Sequence, residues 1–221
     1  MTLTPPKKPQ YEVVPAGNHV ARLYEIIHIG TIPTTYKGEE KMTDKIRLTF
    51  ELCDERKEFK EGEGERPYSV SREFTYSFGA KGHLRPFIEG MTGEKINDEE
   101  FPDLEALLGE ACLLNVVHTT GETVYANIQG ASPLPRGLEA RPIHNKARAL
   151  DINSIPFADL DKLPEFIQKK MKSSEEYGYR VRYQETLEKA GKTETVASPQ
   201  KLQPPSSFAH SSEPKPGDIP F

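Results

Sequence analysis

The sequence predicts a mainly β chain: a five-stranded OB-fold barrel with a helix between its third and fourth strands, then a C-terminal helical segment and a polar tail. Three observations predict it. Short runs rich in β-branched and aromatic residues recur through 15–135, bounded by Gly, Pro and polar clusters. At least one of them alternates strictly between apolar and polar positions. A single helical pattern separates the third run from the fourth, as an OB-fold barrel requires and a generic β-sandwich does not.

The first strand is HVARLYEIIHIGTI (19–32), ended by Gly30 and Pro33. The second, KIRLTFELC (45–53), sets Ile46, Leu48, Phe50 and Leu52 on one face and Lys45, Arg47, Thr49 and Glu51 on the other. That period of two describes a half-buried strand with one solvated face. An acidic loop over 54–67 leads to a third strand over 68–78. The segment KGHLRPFIEGM (81–91) spaces Leu84, Phe87, Ile88 and Met91 as a helix does, with Pro86 in its first turn. A short helical piece over 103–109 precedes strands over 111–119 and 122–132, joined by a turn at Thr120-Gly121.

Beyond Pro133 the segment 133–160 reads as irregular. In 163–172, Leu163, Phe166, Ile167 and Met171 form one stripe opposite lysines, and a second helix is expected over 174–189. The last thirty residues hold six prolines and five serines and little to bury, so a flexible tail is expected. Four segments result: a disordered arm over 1–14, the barrel over 15–135, the irregular and helical extension over 136–191, and the tail over 192–221.

Composition removes whole classes. The chain has 221 residues, 35% apolar and 29% charged, wetter than an average globular protein. No apolar run approaches the ~20 residues of a membrane span. No secretory signal is expected at MTLTPPKKPQ, and a cytoplasmic location follows (the host's, for a viral chain). Cys53 and Cys112 sit in apolar segments and are expected as buried thiols. The net charge of −5, from 29 basic and 34 acidic residues, argues against a basic duplex reader but permits a local basic groove.

Catalytic patterns do not surface. There is no GxxxxGK[ST] loop and no GxGxxG, and the six histidines lack metal-ligand spacing. No enzyme activity, metal or cofactor is therefore expected. Binding has more behind it, because single-strand recognition needs aromatic faces for bases and cations for phosphates. Arg22 and Tyr24 lie on the first strand, Tyr36 and Lys37 in the first loop, and Lys45 and Arg47 on the polar face of the second strand. Arg72, Phe74 and Tyr76 lie on the third, Lys81 and Arg85 follow it, and Tyr125 sits on the last. The same rings compete for the interior: Phe74 and Phe78 fit a core as well, whereas Tyr36 and Tyr125 are expected exposed. A second cluster, EYGYRVRYQ (176–184), either clamps a strand or packs back on the barrel.

The chain ends in Gly217-Asp218-Ile219-Pro220-Phe221. This ending resembles the tip of bacterial single-stranded DNA-binding proteins, and the layout is similar to OB-fold single-stranded DNA-binding proteins of bacteriophages. The resemblance implies a protein that coats single-stranded DNA and recruits replication, recombination or repair proteins through Asp218, Ile219, Pro220 and Phe221. Physically, an apolar plug with a free carboxylate suits a basic pocket on a partner. The bacterial tips carry a run of acids, whereas here Asp218 and Glu213 are interrupted by Lys215. Internal Ile155-Pro156-Phe157 echoes the tip without a free carboxylate. The alternative is an adaptor that docks on a host replication protein through Phe221 and binds no DNA. No self-complementary stripe fixes an oligomeric state.

Overall fold

The computed structural model describes residues 13–79, 81–97, 102–120 and 124–189. Of the arm expected over 1–14, residues 1–12 lie outside the described residues, as do Gly121, the tail over 192–221 and with it the Asp218–Phe221 tip, whereas Val14 is buried in a core rather than disordered.

The chain is mainly β, with one six-stranded sheet and a few helices. Two long strands, β1 (Gly17–Tyr36) and β2 (Glu39–Glu58), form an antiparallel ribbon. Their turn places Lys37 at φ 52° and Gly38 at φ 86°. Two successive positive φ values match the right-handed strand twist, and glycine takes the second without steric cost. β3 (Glu65–Thr75) pairs with β2, β4 (Ala111–His118) with the first part of β1, and β5 (Ala126–Pro133) with β4. The order is β3-β2-β1-β4-β5, and β6 (Arg148–Asp151) adds to β1 in parallel at Glu25–His28.

Among the described residues no ladder joins β3 to β5, so the sheet is not closed by backbone hydrogen bonds. A side chain spans the seam instead. Arg72 Nη1 donates to the carbonyls of Ile128 (3.1 Å) and Gln129 (2.8 Å).

The sheet's inner face carries the first core. Ile46, Leu48, Phe50 and Leu52 are all buried, as the alternation of β2 requires. Helix α1 (Leu84–Thr92) adds the four residues its spacing marks, Leu84, Phe87, Ile88 and Met91. Phe87 meets Phe74 at 4.8 Å and Phe50 at 6.0 Å between ring centroids. The expected helix over 103–109 is a single 3-10 turn, Leu104–Leu107.

The extension differs more from expectation. Residues 133–160 are not irregular throughout: they supply β6 and the one-turn helix α2 (Phe157–Leu160). With α3 (Glu165–Lys172) and α4 (Glu175–Lys189), they bury Ile152, Ile155, Leu160, Leu163, Ile167 and Met171 against Ile27, Ile29 and Ile32 of β1. This second core explains why Ile26 and Ile27 are adjacent yet both buried: they face opposite cores. A strand covered on both sides loses its alternation. Ile155, from the internal echo of the tip, is a residue of this core.

Gly30 is the backbone device that lets α4 approach. It has φ 95° at a bulge in β1, and a Cβ there would lie 2.5 Å from a carboxylate oxygen of Glu176. That carboxylate accepts from Thr31 N and Thr31 Oγ1, both at 2.8 Å.

Candidate nucleic-acid interface

The outer face of β1, β2 and β3 is where an OB-fold reading puts the ligand, and here the extension covers much of it. Thr49 and Glu51, expected on a solvated face, are buried, and Cys53 is buried as expected. Glu51 accepts from His144 N (2.7 Å), Asn145 N (2.8 Å) and Asn145 Nδ2 (2.7 Å). Glu25 takes hydrogen bonds from Arg148 and from Thr49. Buried carboxylates need such donors, because an unpaired charge out of water is costly.

The twelve predicted contact residues separate accordingly. Phe74 is 3% exposed and belongs to the core, so its ring is closed to a base. Arg22 is a clamp that donates to the carbonyls of Gly109, Ala140 and Arg141. Tyr24 donates to Ser69, and burial raises its pKa. Arg47 bonds Glu73 and Ser71, and the ring of Phe166 lies 5.0 Å from its guanidinium. Arg85 holds Glu89 and the carbonyl of Ile96. These four polar side chains hold the fold together.

Of the other seven, Tyr36, Lys37, Tyr76, Lys81 and Tyr125 are exposed, and Lys45 and the seam-spanning Arg72 are half-buried. Tyr36 and Lys37 cap the β1–β2 ribbon, and Tyr125 follows the β4–β5 loop; both tyrosines are more than 60% exposed, as expected. Lys45, Arg72, Lys81 and His83 line one cleft of about 360 Å3 at the end of β3. Lys45 contacts the hydroxyl of Thr75, and Arg72 bonds the carbonyls of Ile128 and Gln129 with its guanidinium 4.9 Å from the Phe74 ring and 5.8 Å from the Phe87 ring. Among the described residues neither these two nor Lys81 forms an ion pair, so three positive charges share a concave site with Glu73. The Glu73 charge is already held by Arg47 and by Lys170, at 2.7 Å. Tyr76, flanked by cleft residues Thr75 and Ser77, is 39% exposed.

Next to Tyr76 lies a polar bridge that sequence spacing does not mark. The His28 ring stands edge-on to Tyr76 at 5.1 Å. It bonds Asp151 through Nδ1 and Asp44 through Nε2, each at 2.8 Å. Burial works to lower the His28 pKa, but the two carboxylates override it and hold it at about 9. The Asp151 pKa, which burial alone would raise, is lowered by hydrogen bonds from His28 and Asn153. Only the parallel pairing of β6 with β1 brings Asp151 to His28, 123 residues away in sequence.

Phe166, expected inside on the stripe of α3, is 50% exposed over Arg47. It sits one position off the buried pair Ile167 and Met171. Cys53 and Cys112 are free and buried, and burial pushes the Cys112 thiol up to about 12. Among the described residues no group of three or more His, Cys, Asp or Glu could hold a metal ion, and no helix is long and apolar enough to cross a membrane. No known family model and no curated protein matches this sequence.

Proposed function

We propose that this protein is a non-enzymatic, sequence-independent single-stranded DNA-binding protein. In this reading it coats unwound strands during phage-type replication and recombination, and recruits partners through Asp218–Phe221. The observation that carries the reading is the cleft at the end of β3, where Lys45, Arg72 and Lys81 present charge with no carboxylate of their own. Uncompensated cations in a concave site attract phosphates, and Tyr36, Tyr76 and Tyr125 offer exposed rings for bases at ~1–3 kcal/mol each. The strand order and the open β3–β5 seam support the OB-fold reading, since that barrel is itself partly open.

The covered outer face moves the expected contacts away from Arg47 and towards the β3 end. Arg47 is a poor test residue, because its replacement would strip Glu73 and Ser71 of a partner. The better test is anisotropy titration of labelled oligo-dT and a duplex of equal length, at several salt concentrations. Tight, salt-weakened binding to the single strand alone is expected. In the Lys45→Ala/Lys81→Ala variant the slope of log K against log salt should fall by about 0.7 for each phosphate that is no longer neutralised. Binding to neither oligonucleotide would overturn the reading and leave an adaptor that acts through Phe221.

A further inference from the structure

The chain places an aromatic and cationic stripe on α4 that the cleft does not use. α4 is held to the body by one side only. Glu176 grips Thr31, and Tyr177 meets Phe157 edge-on at 5.5 Å. Arg180 donates to the carbonyls of Ile152 and Ile155, both at 2.6 Å, with its guanidinium over the Phe157 ring. One turn further, Val181 and Gln184 continue that side with Glu185 and Glu188 around a hollow of about 170 Å3.

By the 3.6-residue period Tyr179 and Arg182 lie on the opposite side, with Lys189 beyond them, and Tyr183, seven residues after Glu176, stands at its edge next to the packed side. Tyr179 is 65% and Tyr183 63% exposed. The Arg182 guanidinium lies 4.8 Å from the Tyr179 ring centroid. Half of the cluster 176–184 thus packs back on the body while the other half faces solvent.

We propose that this outward stripe is a second stacking platform for single-stranded DNA, which lengthens the footprint that begins at the cleft; the inference rests on the single-strand reading above. Three features select that occupant. Tyrosines four residues apart stand one turn apart, about 6 Å along the axis, so each ring can take its own base. Arg182 adds a cation beside the rings, where a phosphate would pass. The acids Glu185 and Glu188 lie on the hollow side, and Glu175 at the helix start is the carboxylate that shares the stripe's side. On α4 one aliphatic side chain, the half-buried Leu187 one turn beyond Tyr183, stands beside the rings, so this face offers little of the aliphatic anchoring of a protein–protein interface.

The test uses the full chain, its Tyr179→Ala/Tyr183→Ala variant and its Tyr179→Phe/Tyr183→Phe variant. Anisotropy is read on a short oligo-dT, near the lower end of the ~4–16 nucleotides an OB-fold covers, and on one well beyond the upper end. Both side chains are solvent-facing, so the thermal midpoint should not move. The alanine variant should bind the long oligonucleotide at least tenfold more weakly and the short one as the parent does. The phenylalanine variant, which keeps both ring faces, should restore the long-oligonucleotide affinity. Equal affinity of the alanine variant and the parent for the long oligonucleotide overturns the platform while the cleft reading stands. If the parent binds neither oligonucleotide, the cleft reading itself fails and the platform falls with it.

Discussion

The two faces of β1 are both buried, by different chemistry. The inner face, with Ala21, Leu23 and Ile26, joins a core that draws on every strand from β1 to β5 and on α1. The outer face changes character along its length. Near Arg22 and Glu25 it is covered by polar contacts from 140–148, and from Ile27 to Ile32 by the apolar side chains of 152–171. An apolar core is non-directional and tolerates approximate partners. A polar cover has to satisfy each donor and acceptor, and one missing partner exposes the cost of desolvation. The inner core therefore defines the sheet, while the outer cover determines which outer positions remain open to a ligand.

The largest expected effect separates the two cores. Phe50→Ala removes a fully buried ring that touches Phe87 and should cost about 3–5 kcal/mol in urea denaturation. Met171→Ala in the second core should cost about 2–4 kcal/mol and act more locally. Hydrogen exchange on the Met171 variant should show α3 and α4 losing protection while β2 keeps it. Equal loss in both regions would show instead that the two cores unfold as one unit.

The polar cover comes next. Glu51→Ala strands the N–H donors of His144 and Asn145 over a buried position. With each stranded donor worth about 1–3 kcal/mol, and water able to reach part of the site, a net loss of about 3 kcal/mol is expected in the same denaturation assay. Glu51→Gln keeps one acceptor oxygen and should recover part of it. An unchanged midpoint for Glu51→Ala would mean that the segment over 140–148 contributes nothing to holding the fold.

The same contrast explains how much can be read from sequence. The inner face is legible because alternation in 45–53 and helical spacing in 84–91 are local signals. Local spacing also marks Ile167 and Met171. The outer cover is illegible because its partners lie far apart in sequence: Glu51 and Asn145, Glu73 and Lys170, His28 and Asp151. Nothing local tells a buried Glu51 from a solvated one, since the partners that bury it are polar and non-periodic. For that reason Arg22 and Arg47 read as groove cations and prove to be structural, whereas Arg85 is held locally by Glu89 of its own helix and the carbonyl of Ile96. Lys45, Arg72 and Lys81 gather at one cleft because β3 ends where α1 begins. Tyr36 is legible as exposed because it borders the Lys37-Gly38 turn, and Tyr125 because it lies just before β5.

The smallest expected effect tests the link between cover and sheet through pH. His28 bridges Asp44 on β2 and Asp151 on β6, and its folded pKa of about 9 lies above the unbound value of 6.5. A raised pKa means that the folded state binds the proton more tightly than the unfolded chain. The stabilisation is therefore complete below pH 6.5 and is lost as pH rises through 9. The full shift corresponds to at most about 3 kcal/mol. Asp44 and Asp151 are 38% and 49% exposed, so solvent screening should bring the measured value to about 1–2 kcal/mol. Urea denaturation at about pH 6 and about pH 9.5 should show that loss in the parent chain. His28→Gln keeps a polar side chain without the titrating charge, so its stability should change little between those two pH values. If the parent and His28→Gln follow the same pH curve, the bridge does not hold the extension to the sheet, and the outer face is retained by the second core alone.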